Sequence, residues 1–317
     1  MKILITGANG FIGKSLIAEA LAQGFQVVAL VRSKALIEWE GVNNIELIYC
    51  DLDKDEIPNL SGFSIDCVVH LAVSMNPKEE TNADYDALLG TKKIIAEMLR
   101  SKIKKLIGMS SISVIDFENL AALSTINEDV ALASNHQEMG KYSILKARQE
   151  GLYSAFGAGS ENQCVIIRPG LVYSSDTLNP AHAGIIKSKF QLLIDHKGEV
   201  PLVDVDSVVK AMLIATGLNS AKLEIVHLLD DNLPSQAQYI DLLRQRRHIK
   251  AGGIVLAWWV VSPLIKMMFH IANVCNKTGK LPDSFLPHAF AARMKPFYFS
   301  NVKAKQLLNW VPKSFQE

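Results

Sequence analysis

Apolar residues along this chain fall in short, almost unbroken runs separated by amphipathic stretches. Ile3-Leu4-Ile5 is the first run and Val27-Val28-Ala29-Leu30-Val31 the second; residues 45–49, 67–71, 106–109 and 164–167 continue the series. Runs with little polar alternation suit strands of a parallel sheet covered on both faces. Between them the apolar spacing changes to threes and fours. Phe11, Ile12, Leu16, Ile17, Ala20 and Leu21 trace a helical stripe through 11–23, and 84–100 and 141–156 read the same way. Strand and helix in regular alternation predict an α/β fold, a Rossmann-type doubly wound parallel sheet of about seven strands.

After Arg168-Pro169-Gly170 the rhythm changes. Residues 181–196 and 205–217 read as helices, 224–229 as one more strand, and the tail from 235 as mostly helical, ending in 302–308. This predicts a dinucleotide-binding domain over 1–168, with 200–229 returning to it, and a small, mostly helical C-terminal substrate lobe from 169–199 and 230–317. No repeat or low-complexity segment interrupts the pattern.

Composition changes this picture in two places. The chain has 317 residues, enough for a sizeable core, and is 49% hydrophobic. That excess has a location near 252–275. With 33 basic and 32 acidic side chains the net charge is +1, which gives no electrostatic footprint for nucleic acid. Cys50, Cys67, Cys164 and Cys275 form no C-x-x-C pair and show no ligand spacing against histidine, so no metal site is expected. Scattered single cysteines suit a reducing compartment, and the first strand begins at once where a signal peptide would need a longer apolar region. The expected location is cytoplasmic.

The first strand runs into Thr6-Gly7-Ala8-Asn9-Gly10-Phe11-Ile12-Gly13. In a strand–loop–helix setting, one glycine permits the sharp turn, the next lets a pyrophosphate approach the backbone, and the third lets helix pack on strand. The helix start, with Asn9, Phe11 and Ile12 around it, offers N–H groups to phosphate. An NAD site usually closes the second strand with Asp or Glu. Here the chain reads Leu30-Val31-Arg32-Ser33-Lys34, and cations suit a ribose 2′-phosphate. NADP(H) is the favoured cofactor and NAD(H) the alternative.

Tyr142 and Lys146 lie one helical turn apart and share a face. An ammonium beside a phenol lowers its pKa and makes it a usable acid–base group, and the same lysine can bond the nicotinamide ribose. Ser110 and Ser111 sit at the C-terminal end of the strand at 106–109, where open α/β sheets bind ligands. Singly, each of these could be incidental: a turn-opening Ser-Ser, or an exposed Tyr–Lys pair.

Together they carry a resemblance. Gly7/Gly10/Gly13, Cys50-Asp51-Leu52, His70-Leu71-Ala72-Val73, Gly90-Thr91, Ser110-Ser111, Tyr142 with Lys146, and Arg168-Pro169-Gly170-Leu171-Val172-Tyr173 resemble the extended short-chain dehydrogenase/reductases, also called the NAD-dependent epimerase/dehydratase family. The resemblance covers nearly the whole chain. It implies that Asp51 and Leu52 lie against adenine, that Leu71, Ala72 and Val73 line the dinucleotide, and that Pro169 to Val172 border the nicotinamide. It makes Ser111, aligned through Val114, the catalytic serine beside Tyr142 and Lys146, and it implies a dimer through a helix pair. Two positions depart from it: Ala87 stands where members often carry Asn three residues before Gly-Thr, and Val205-Asp206-Ser207 lacks a paired Asp.

The tail, with Lys277-Thr278-Gly279-Lys280-Leu281-Pro282 and the closing Leu308-Asn309-Trp310-Val311-Pro312, resembles 3β-hydroxysteroid dehydrogenase-like and dihydroflavonol reductase-like members. The expected activity is NAD(P)-dependent interconversion of a secondary alcohol and a ketone, on an apolar cyclic substrate or a sugar nucleotide. A nucleotide-sugar 4-epimerase or dehydratase is the alternative, and a non-catalytic dinucleotide sensor a third reading, which an intact Ser–Tyr–Lys set disfavours. The 12 residues 254–265 carry no charge and include Trp258 and Trp259, but a spanning helix needs about 20. They read as a helix buried against the main domain, a lid over an apolar substrate, or, with 266–269, a peripheral membrane contact.

Overall fold

The computed structural model describes residues 1–32, 39–74, 86–134, 138–187, 190–219, 222–250 and 252–315. The first half alternates as its apolar runs require: β1 (Lys2–Thr6), α1 (Phe11–Ala22), β2 (Gln26–Val31), β3 (Ile45–Tyr49), β4 (Cys67–His70), α2 (Leu89–Arg100), β5 (Lys105–Met109), the short β6 (Thr125–Ile126), α3 (Lys141–Gly157) and β7 (Gln163–Pro169). There follow β8 (Leu171–Tyr173), β9 (Gly184–Lys187), β10 (Phe190–Asp195), β11 (Leu202–Asp204), α4 (Val205–Thr216), β12 (Leu223–Leu228) and α5 (Gln236–Gln245). The tail holds β13 (Ile254–Ala257), α6 (Trp258–Val274), α7 (Pro287–Met294), β14 (Tyr298–Phe299) and α8 (Val302–Leu308).

Seven strands make one sheet in the order β12-β7-β5-β4-β1-β2-β3, and every neighbouring pair is parallel. The chain winds outward from β1 in one direction, then returns to β4 on its other side. That reversal opens a crevice beyond the carboxyl ends of β1 and β4, the place where such sheets bind ligands. Thr6 stands in register with His70 at this point.

Successive side chains of a strand point to opposite faces, and the core divides accordingly. Ile3 and Ile5 pack with Leu16 and Ile17 of α1 and Val208 and Met212 of α4, whereas Leu4 packs with Ile94 and Met98 of α2 and Tyr153 and Phe156 of α3. The first cluster also receives Ala304 and Leu308 of α8 and Trp310, which is 2% exposed. The Trp310 indole N–H donates to the Ser207 carbonyl at 2.9 Å.

Two expectations fail. Residues 181–196 are not a helix: β9 and β10 pair antiparallel, after a single short turn at Pro180–His182. The pairing β-branched residues Ile185, Ile186 and Ile194 favour strand, and Gly184 at φ 150° lies against the Leu192 carbonyl where no other residue fits. Residues 254–265 are not one buried helix either. Residues 254–257 form β13, which pairs with β10, and only Val261 and Ile265 are buried on α6. The otherwise helical C-terminal region thus carries a three-stranded sheet, β13-β10-β9.

Candidate active site

The cradle begins where β1 ends. Gly7 adopts φ 69°, and a side chain there would meet the Ala72 backbone nitrogen at 2.9 Å. A side chain on Gly13 would meet the Gly7 carbonyl at 2.3 Å, so α1 rests directly on the loop. Gly10 caps α1 without a side-chain acceptor, and no acidic residue stands in the first turn. The N–H groups of that turn, around Phe11 and Ile12, therefore keep capacity for an anion.

Beside this loop lies a cavity of about 310 Å³. Gly7, Asn9 and Gly10 line it on one side, Arg32, Asp51 and Leu52 on another, and Leu71, Ala72 and Val73 on a third. The Asn9 side-chain oxygen is buried without a partner. The volume, the glycine walls and that orphaned atom fit the adenosine and pyrophosphate parts of a dinucleotide. Arg32 is exposed at the rim, while Ser33 and Lys34 lie outside the described residues. Ala87 also lines the cavity, and Asp53 accepts from Ser74 Oγ at 2.6 Å across it.

At the other end of the crevice, β5 delivers two serines with different partners. Ser110 is buried and donates to Glu150 Oε2 at 2.5 Å. Glu150 in turn pairs with Arg168 at 2.5 Å. Ser111 accepts from Ser113 N–H at 3.1 Å, and its hydroxyl stands beside the Tyr142 phenol and favours the ionised form. Ser111, not Ser110, therefore reaches Tyr142. Pro169 ends β7, buried, and Val172 lies half-buried in β8; both stand outside the cavity lining, as do Phe11, Ile12 and Gly13.

Tyr142, Lys146 and Gln149 follow each other at i, i+4 and i+7 on α3 and share a face. Lys146 Nζ donates to the Met109 carbonyl at 2.8 Å and to Gln149 Oε1 at 2.9 Å. Gln149 Nε2 donates to the Ala72 carbonyl at 3.0 Å and to Thr91 Oγ1 at 2.9 Å. Thr91 bonds to His70 Nε2, His70 Nδ1 bonds to Thr6 Oγ1 at 2.7 Å, and Thr6 Oγ1 accepts from Ala72 N–H. One buried network thus ties the Tyr–Lys face to the cavity wall. Burial, and next the Lys146 charge, lower the His70 pKa to about 3, so its ring is neutral.

Burial also governs the two titrating groups. It lowers Lys146 to about 7. It raises Tyr142, and the Ser111 hydrogen bond only partly offsets this. The depression of Tyr142 by Lys146 expected from their spacing is not what this arrangement produces, because the Lys146 ammonium points to Met109 and Gln149 instead. A phenol held in its protonated form is a proton donor.

Sequence reasoning assigned no role to His70, Thr91, Gln149, Asp53 or Ser74. His70 and Thr91 fell inside motif segments that were recognised as wholes. Gln149 had a usable signal, its spacing two turns from Tyr142. Among the described residues no group of His, Cys, Asp or Glu could hold a metal ion.

A glycine cradle at the sheet's reversal point, with Ser, Tyr and Lys at the neighbouring strand end, defines the short-chain dehydrogenase/reductase class. Residues 3–225 match the NAD dependent epimerase/dehydratase family. The chain belongs to that family, in its extended form, and is an NAD(P)-dependent enzyme of the oxidoreductase or epimerase kind. It is 24% identical over 258 residues to the 4-hydroxy-2-methyl-3-oxo-4-farnesyl-3,4-dihydroquinoline-1-oxide ketoreductase of Stigmatella aurantiaca, covering 79% of this chain and 75% of that one. It is 26% identical over 331 residues to the decarboxylating sterol-4-alpha-carboxylate 3-dehydrogenase of Dictyostelium discoideum, covering 96% and 98%. The fold is similar to that of the dTDP-glucose 4,6-dehydratase of Bacillus anthracis in complex with NAD, at a TM-score of 0.67 and 15% identity, over 99% of this chain and 92% of that one.

Proposed function

We propose that the protein is an NADP(H)-dependent reductase that converts an apolar, lipid-like ketone to a secondary alcohol. One observation carries the reading: the Ser111 hydroxyl, fixed by Ser113 N–H, stands beside a Tyr142 phenol whose pKa is raised. The dinucleotide, held by Gly7, Gly10, Gly13 and the 71–73 segment, supplies the hydride. Tyr142 gives its proton to the carbonyl oxygen as negative charge develops there. Ser111 donates a hydrogen bond to the same oxygen and holds it against Tyr142. Lys146, anchored by Met109 and Gln149, would hold the nicotinamide ribose when the dinucleotide is bound.

The apolar substrate is supported by the two relatives that align over most of this chain, whose names include a farnesyl group and a sterol. Arg32 at the cavity rim, with no acid ending β2, supports the phosphorylated cofactor. Arg32→Ala is expected to weaken NADPH by on the order of tenfold and NADH little, measured by fluorescence titration. Equal losses for both would remove the phosphate-pocket assignment. The decisive experiment identifies the nucleotide released on denaturing fresh protein, then titrates the emptied protein with NADPH and NADH. A site that exchanges cofactor and prefers NADPH is the expected result. Tightly retained NAD would replace the reductase reading with an epimerase.

The Lys146 pKa has a consequence for stability. Between about 7 and 10.5 the amine is neutral in the folded chain and protonated in the unfolded one. Unfolding then takes up a proton, so this group makes stability rise with pH across that window, and its penalty is full below it. Lys146→Met should flatten the rise in melting temperature between about pH 7 and pH 9. Parallel curves for both proteins would mean that Lys146 keeps its ordinary pKa.

A further inference from the structure

Among the described residues nothing covers the outward side of α6. Val261 and Ile265 pack inward with Phe290 and Met294 of α7. On the other side Leu264, Met267, Ile271 and Val274 succeed one another at steps of three and four, and are 47, 54, 54 and 70% exposed. Trp259 is 70% exposed at the start of the helix, and Ile254 and Val255 extend the apolar surface along β13. Single exposed apolar residues are ordinary, but a continuous row marks a contact surface.

Charge indicates what it contacts. From residue 242 to residue 282 the sequence contains seven Lys and Arg and no Asp or Glu. Lys277 and Lys280 are exposed just beyond the helix. Among the described residues Lys266 of α6 pairs with Glu118 at 2.6 Å. An apolar helix face with tryptophan at one end and cations around it matches a helix lying in a bilayer interface. At 17 residues α6 falls short of the about 20 needed to cross, and no described helix is long and apolar enough to span. A second copy fits worse, because a two-fold contact would set Lys266, Lys277 and Lys280 against their own copies, with the neighbouring Glu118 already paired.

We propose that α6, with the exposed end of β13, docks the protein on an anionic lipid bilayer, lying in the plane of its surface. The inference does not depend on which reaction the site performs. The Lys266–Glu118 pair ties the docked helix to the segment that follows β5.

The test is flotation of the full chain with vesicles of phosphatidylcholine alone, and with about 30% phosphatidylglycerol added. Anionic lipid should raise binding by on the order of tenfold or more, and added salt should reverse the gain. The double variant M267E/I271E should no longer float, with its circular dichroism melt and dinucleotide binding unchanged. K277Q/K280Q should lose on the order of tenfold for anionic vesicles and nothing for neutral ones, which preserves the test if the first variant fails to fold. Absence of flotation with both vesicles, or flotation that survives both variants, would overturn the proposal. So would a concentration-dependent dimer broken by M267E/I271E in a protein that does not float, since the face would then be a self-interface.

Discussion

Replacing Tyr142 with phenylalanine is expected to lower turnover by on the order of a thousandfold while dinucleotide affinity stays within a factor of about three. The change removes one hydroxyl and leaves the ring in place, so the fold loses little. It removes the proton donor and the partner of Ser111 at once. Steady-state kinetics beside a calorimetric NADPH titration separates the two effects. Turnover within tenfold of the parent would assign proton transfer to another group. Ser111→Ala should fall between the two, because it keeps the donor and loses only the group that holds the carbonyl oxygen.

Gly13→Ala should produce the second large effect, on binding rather than on chemistry. The added methyl would sit 2.3 Å from the Gly7 carbonyl and 2.8 Å from Ala8 backbone atoms, none of which is a flexible side-chain end. Either α1 lifts from the loop or the loop itself moves. Overpacking of this kind costs about 1–3 kcal/mol of stability. The same shift misplaces the N–H groups that meet the pyrophosphate, so dinucleotide affinity should fall by on the order of 100-fold. Gly151→Ala is the control, since a methyl there meets nothing within 4 Å. Equal affinities for the two variants would show that the close approach of α1 to the loop does not shape the site.

Much of this arrangement was legible because local signals agreed with the global pattern. β1, β2, β3 and β5 lie where apolar runs placed them, and the glycine spacing located the crevice. The misreadings have physical causes. Residues 181–196 contain apolar pairs whose spacing fits a helix, and pattern alone did not weigh Gly184 and the isoleucines. The first half of the buried side of α3 is polar, with Ser143, Lys146, Gln149 and Glu150 all below 9% exposure, so hydrophobicity cannot report which way that half faces. Conversely, the most apolar segment of the tail forms an outer surface, which no burial pattern predicts. The pKa of Tyr142 was misjudged because spacing says that Lys146 is near but not where its ammonium points.

The position of Trp310 bears on how the protein is made. Its side chain belongs to the same cluster as Ile3 and Ile5, so the first and last parts of the chain complete one core. A ribosome delivers β1 long before α8, and the surface of α4 that Trp310 and Leu308 cover stays wet until those residues have been made. Until then the nascent chain carries an exposed apolar face, the condition in which chaperones bind.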